Sequence, residues 1–250
     1  MIDSITVTGM VISSMPVGDF DKRIVLLTKE RGKIAVFAKG ARRPKSVLLA
    51  GTRPFSFGEF VVYEGRTAYN LMSTNIKNYF DDLSRDVEGA CYGFYFLELA
   101  DYYGRENVDG SETLNLLYLS FRALLKSNLK NTLIRRIFEL KIMTINGEYP
   151  EMFKCVGCGK EKEEFHYSIP SAGLVCPVCM EKRGGIRAIN VSTIYTFQYV
   201  ISSGIEKLYT FDVSDIVLKE FSDIMNKHMR MYIDSEFKSL ELIDGISWLK

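Results

Sequence analysis

Two groups of residues in this chain have the types and the spacing to do chemistry. The first is Cys155-Val-Gly-Cys158, followed seventeen residues later by Cys176-Pro-Val-Cys179. Two thiolates two residues apart can grip one side of a metal ion, and a second such turn completes a tetrahedron with metal–sulfur bonds of about 2.3 Å. Gly157 and Gly159 ease the first turn, while Pro177 stiffens the second. Four cysteines could instead form two disulfides, two redox dithiols or a catalytic zinc site. Disulfides need an oxidising compartment, and Met1 to Asp19 carries no basic-then-apolar secretion signal. A redox dithiol belongs beside a βαβ pattern, and a catalytic zinc usually has three protein ligands and an open position. The sequence predicts a closed structural Zn2+ site of Cys155, Cys158, Cys176 and Cys179, with His166 a conceivable substitute ligand.

The second group is Lys39-Gly-Ala-Arg42-Arg43-Pro44-Lys45-Ser46, four cations within seven residues. An arginine fork grips a phosphate bidentately and a lysine adds a point charge, so the run suits a polyanion. By itself it reads equally well as a solvated basic loop. The formal net charge of +1 hides an asymmetry, because residues 1–80 hold twelve Lys/Arg against six Asp/Glu. The remainder holds twenty against twenty-five. A basic part of that kind points to an anionic partner.

The elements that must position these groups follow from periodicity. Ile5–Ile12, Arg23–Thr28, Lys33–Lys39, Phe57–Glu64 and Thr67–Thr74 read as five strands, with a hairpin at Lys29-Glu-Arg-Gly32. The connection 40–55 has room for a helical turn at Ser46–Ala50. Five strands with a helical insertion after the third suit an OB-type barrel, with a five-stranded SH3-like barrel as its rival. The basic run then sits at the barrel's mouth, which favours nucleic acid.

Beyond residue 80 the pattern turns helical. Val87–Tyr103 is rich in aromatics, read as a buried core rather than a base-stacking face. Asp109-Gly-Ser-Glu112 resembles a capping box opening a helix with Leu114, Leu117, Phe121, Leu124 and Leu125 inward. Asn131–Ile145, Val191–Ile201 and Ser214–Ile233 are further helices, and the cysteine segment, about 150–185, is inserted among them. The fold class is α+β: residues 1–80 an OB-fold nucleic-acid-binding domain, residues 81–250 a helical domain with a zinc-binding insertion. A second basic group, Lys126, Lys130, Arg135, Arg136 and Lys141, could extend a nucleic-acid track, hold an acidic peptide tail, or form an ordinary helix surface.

Catalytic signatures are missing: the sequence contains neither G-x-x-x-x-G-K-[ST] nor G-x-S-x-G, and only two histidines, His166 and His228. His228 lies mid-helix, where a structural role is the ordinary one. Glu163-Glu164 reads as a solvated turn. No apolar run approaches the ~18 residues of a membrane span, and the reading is of a cytoplasmic, non-enzymatic protein.

The octapeptide Lys39–Ser46, the preceding Asp21-Lys-Arg-Ile-Val-Leu-Leu-Thr28, and Arg135-Arg-Ile-Phe-Glu-Leu140 with Asn146-Gly-Glu-Tyr-Pro150 resemble the bacterial recombination-repair mediator family RecO. The paired C-x2-C motifs suit its zinc-carrying branch. The resemblance runs from the first strand to about Ile233, and residues 234–250 carry no motif. It implies a nucleoid-associated protein that binds single- and double-stranded DNA and anneals complementary strands. With RecR, such proteins help RecA replace the single-stranded-DNA-binding protein. It implies DNA contacts at Lys39, Arg42, Arg43 and Lys45, and docking of the acidic C-terminal tail of the single-stranded-DNA-binding protein at Arg135 and Arg136. The rivals are a zinc-stabilised protein-interaction adaptor whose basic loop grips an acidic protein and, more remotely, a metal-dependent hydrolase.

Overall fold

The computed structural model describes residues 3–66, 68–126, 128–161 and 164–247. Thr67, expected to open the fifth strand, and Glu163 of the expected acidic turn lie outside them. The chain forms two compact units, Met1–Lys126 with Phe237–Lys250, and Ser127–Glu236.

The first unit begins with five strands: β1 (Ser4–Val17), β2 (Asp21–Thr28), β3 (Gly32–Ala38), β4 (Phe57–Glu64) and β5 (Tyr69–Asn78). They close into a barrel in the order β1-β2-β3-β5-β4. β1 is long enough to pair with β4 through Ser4–Met10 and with β2 through Gly9–Val17, and a bulge between Val11 and Ser13 bends it around the corner. β3 and β5 close the barrel as a parallel pair, Val36 opposite Tyr69 and Phe37 opposite Asn70. With a short helix α1 (Leu48–Gly51) between β3 and β4, this is the expected OB-type arrangement. Strict alternation fills the interior: Ile34, Val36 and Ala38 of β3 meet Ile24 and Leu26 of β2 and Phe60 and Val62 of β4.

Helices α2 (Asp81–Arg85), α3 (Val87–Tyr103) and α4 (Ser111–Leu125) continue this unit. Of the aromatic run of α3, Tyr92, Tyr95 and Phe96 are buried as expected, while Phe94 and Tyr102 are exposed. Phe55, from the connection before β4, packs its ring 4.7 Å from Phe94 and 5.3 Å from Phe121. Asp86 caps α3 by accepting from the amides of Glu88 and Gly89. The expected capping box of α4 is not formed: Gly110 is the N-cap, and Asp109, one place earlier, accepts from the Ser111 amide at 2.8 Å.

The β2–β3 turn docks on the link between α3 and α4. There the Lys33 amide donates to the Arg105 carbonyl at 3.0 Å and the Asn107 amide to the Arg31 carbonyl at 2.9 Å. Gly32, at φ +61, is required there, because a β-carbon would lie 2.1 Å from the Arg105 carbonyl oxygen. Residues 234–250 contain a helix the sequence did not announce, α9 (Lys238–Ser247), which packs against α3. Ser239 donates its amide and hydroxyl to Glu98, each at 3.2 Å, and the Phe237 ring lies 5.7 Å from Tyr95.

The second unit is built on α5 (Asn131–Ile145), buried along its whole middle from Leu133 to Met143. α7 (Val191–Ser202) and α8 (Asp215–Tyr232) pack on it and on each other, with Phe197 and Phe221 rings 4.7 Å apart. Between α5 and α7 lie a three-stranded sheet, β6 (His166–Ser168), β7 (Gly173–Val175) and β8 (Ile186–Ala188) in the order β7-β6-β8, and a one-turn helix α6 (Pro177–Met180). These short strands were not evident from periodicity.

His228 of α8 is structural. Its Nε2 lies 2.8 Å from the Glu148 carbonyl oxygen, which can only accept, so the neutral ring carries its proton on Nε2. Nδ1 is buried without a partner, and burial holds the ring's pKa below the ordinary 6.5, against the pull of Glu148. Since the unfolded chain binds the proton more readily, the stability contributed by keeping His228 neutral is present above the ordinary 6.5 and is lost as pH falls through it. Urea unfolding of the wild type at pH 7.5 and 5.5 is expected to show this loss, and His228→Gln is expected to reduce it.

Candidate nucleic-acid interface and metal centre

The basic run is held by the ends of the first two strands. Gly40, at φ +67, donates its amide to Asp21 Oδ1 at 2.7 Å. Ala41 turns inward and is buried in the barrel core. The Arg42 amide donates to the Phe20 carbonyl at 2.7 Å, and its guanidinium Nη1 to the Gly18 carbonyl at 3.0 Å. The Arg43 guanidinium lies 5.5 Å from the centre of the Phe20 ring, a cation–π arrangement. Lys39, Arg42, Arg43 and Lys45 are all exposed. The backbone is therefore fixed to the β1–β2 turn while the four charges face solvent.

Two cations that sequence spacing did not join to this group lie beside it. Lys22 of β2 donates to Thr52 Oγ1 at 3.0 Å, and its pKa is lowered by burial and then by repulsion from Arg53 and Arg42. Bonded to Thr52, Lys22 stands beside Arg53 and close enough to Arg42 for the three to share one positive surface. No spacing along the chain joins them, since the whole of β3 separates Lys22 from the connection that holds Arg53.

Arg135 and Arg136 are placed differently. Both are buried on α5, Arg135 Nε 2.7 Å from Glu139 Oε1 and Arg136 Nη1 2.7 Å from Glu139 Oε2. Arg136 also donates to Asn226 Oδ1 of α8 at 2.7 Å. Lys141, on the same helix, donates to the carbonyls of Val200, Ile201 and Ser203, satisfying the open C-terminal end of α7. Lys130 pairs with Asp215. Arg135, Arg136 and Lys141 are thus spent within the second unit, because the middle of this helix is buried all round and its charges must find partners there. The Lys130–Asp215 pair lies at the surface. Glu139→Ala would remove the carboxylate that both buried guanidiniums share and is expected to cost about 3–5 kcal/mol in chemical denaturation.

The four cysteines come together as the spacing required. Their sulfurs all lie within 4.8 Å of one another, with Cys158 and Cys176 3.7 Å apart. A tetrahedron of sulfurs at ~2.3 Å from a metal has edges of about 3.8 Å, so the group fits a metal ion. A disulfide, at ~2.05 Å, does not describe that pair. The first turn bends through the Gly159 amide donating to the Cys155 carbonyl at 2.8 Å. Cys176 follows β7 directly and Pro177 starts α6, which presents Cys179 to the first turn. A β-carbon at position 157 would lie 2.8 Å from Cys179 Sγ, so only glycine leaves room for that sulfur.

Desolvation raises the Cys155 thiol, but amides of Cys176, Gly157 and Cys158 outweigh it and bring the pKa to about 6. Cys179, hydrogen-bonded to Cys158 and Cys176, is pushed up to about 12. Four sulfurs this close cannot all ionise without a cation among them. His166, on β6, is not part of the group. Elemental analysis is expected to find one metal ion per chain, lost in Cys158→Ala.

Among the described residues no helix is long and apolar enough to cross a membrane. Residues 1–80 match the family model of the recombination protein O N terminal, and residues 84–241 that of its C terminal. The chain is 32% identical over 240 residues to the DNA repair protein RecO of Alkaliphilus metalliredigens, covering 95% of this chain and 98% of that one. It is 29% identical over 244 residues to that of Acetivibrio thermocellus, covering 97% of each, and 29% identical over 237 residues to that of Clostridium novyi, covering 94% and 92%. With both halves matched and the relatives covered almost end to end, the chain belongs to the RecO family of DNA repair proteins.

Proposed function

We propose that this chain is a non-enzymatic recombination mediator that binds single- and double-stranded DNA through the barrel, anneals complementary strands, and with RecR helps RecA replace the single-stranded-DNA-binding protein. One observation carries the reading: Lys39, Arg42, Arg43 and Lys45 stand exposed on a backbone that is itself held in place, next to Lys22 and Arg53. Fixed cations bind a phosphate chain without reading sequence, and they lower the repulsion between two strands that must approach to anneal.

In this proposal residues 1–80 are the nucleic-acid-binding domain and residues 81–250 the helical domain, with Zn2+ as the ion held by Cys155, Cys158, Cys176 and Cys179. The thiolate set favours zinc, and four protein ligands make the site structural. Residues 150–185 form the insertion that the ion holds together. For the acidic tail of the single-stranded-DNA-binding protein to dock at Arg135 and Arg136, its carboxylates would have to displace Glu139 from both guanidiniums. A cytoplasmic, nucleoid-associated location goes with this function.

Neutralising about four single-strand phosphates gives a slope of log affinity against log salt of roughly −3. Arg42→Glu with Arg43→Glu is expected to weaken single-strand binding and make the slope shallower, with unchanged thermal unfolding because both side chains are exposed. Fluorescence anisotropy at several salt concentrations measures both quantities. Undiminished affinity of the double variant at low salt overturns the assignment. Negligible DNA binding by the wild type at low salt favours a protein-interaction adaptor.

A further inference from the structure

The outer wall of the barrel beside the basic run has a recess of about 460 Å³ lined by Arg23, Phe37, Arg66, Ala68 and Asn70. Its three strand residues are register partners: Arg23 of β2 lies opposite Phe37 of β3, and Phe37 opposite Asn70 of β5. Side chains alternate along a strand, and Ile24, Val36 and Leu71 face the barrel core. Arg23, Phe37 and Asn70 therefore form one row across the outside. Arg66, from the turn after β4, closes the row on one side, and both arginines are exposed.

We infer that this recess is a base-stacking subsite for single-stranded nucleic acid, with Phe37 as the platform, Arg23 and Arg66 as phosphate contacts, and Asn70 facing the edge of the base. The inference rests on the DNA-binding reading above and extends it from the phosphates to the bases. The chemistry of the lining favours a nucleotide: an aromatic ring, two guanidiniums, an amide with both donors and an acceptor, and no carboxylate. An outward phenylalanine between two cations gives a base its face and leaves the neighbouring phosphates charged partners.

Position adds to chemistry. β3 ends at Ala38, one residue after Phe37, and the chain passes directly into Lys39–Lys45. A strand lying on those cations therefore continues onto Phe37. Stacking needs an unpaired base face, whereas the loop's cations need only phosphates. The recess consequently selects single strands, while the basic run accepts both forms.

The test is fluorescence anisotropy with labelled oligothymidine and with a duplex of equal length, on wild type and on Phe37→Ala, Phe37→Leu and Phe37→Trp. Leucine keeps the apolar bulk and removes the π face, so it remains informative if the alanine variant is unstable. Phe37→Ala and Phe37→Leu are expected to weaken oligothymidine binding by about 10-fold or more, with duplex affinity and salt slope unchanged. Phe37→Trp is expected to keep wild-type affinity, with its emission quenched as the strand binds. The inference is overturned if Phe37→Leu binds oligothymidine like the wild type, or if it weakens both forms equally. A wild type that binds neither form overturns the DNA reading itself. A wild type that binds both while the leucine variant is indistinguishable from it overturns only the stacking.

Discussion

The barrel can close only if the chain leaving β3 crosses to a strand on the other side of β5. With the order β1-β2-β3-β5-β4, β3 and β4 are not neighbours, and the connection 39–56 must pass over the end of the barrel. That crossing sets the rest of the first unit. Ala41 and Leu48 turn into the core as the connection passes, and α1 packs on β5, where a β-carbon at Gly51 would meet Thr74 Oγ1 at 2.5 Å. Anchored at both ends, the connection holds its exposed cations on a backbone with little conformational freedom left to lose, which is what the proposed phosphate contacts require. The cations occupy the part of the crossing that packing does not use.

The second unit solves a different problem. Its central helix carries Arg135, Arg136, Glu139 and Lys141 into the interior, where an unpaired charge would cost several kcal/mol. Glu139 answers both arginines, and Lys141 answers carbonyls at the end of α7 that have no partner within their own helix. The cysteine segment has a small apolar core, Cys155, Val175 and Cys176 with a few half-buried neighbours. Three three-residue strands bury little, and a metal ion held by the four sulfurs would supply what the core lacks.

The barrel, its helical insertion and the cysteine cluster were legible because each leaves a local signal: period-two alternation, punctuation by glycine, and a fixed ligand spacing. α9 was not legible, since Lys238–Ser247 is a short amphipathic stretch whose stability comes from α3, through Glu98 and Tyr95 far away in sequence. The strands of residues 166–188 are too short to show a period. The burial of the α5 arginines was not legible for a related reason. A basic pair on a helix ordinarily marks its wet face, and only the carboxylate three and four residues on, Glu139, hinted that the charges were paired. Lys22 and Arg53 joined the cationic surface through the barrel's closure, which no spacing along the chain expresses.

In the proposed function, nucleic acid lies on the barrel, along the crossing and the wall beside it. The most direct measurement is photo-crosslinking of the full chain to a single strand carrying photoreactive thymidines, with the adducts mapped by mass spectrometry. Adducts are expected within residues 18–45 and 66–70, suppressed by unlabelled competitor strand. Competitor-sensitive adducts confined to residues 128–236 would overturn binding on the barrel.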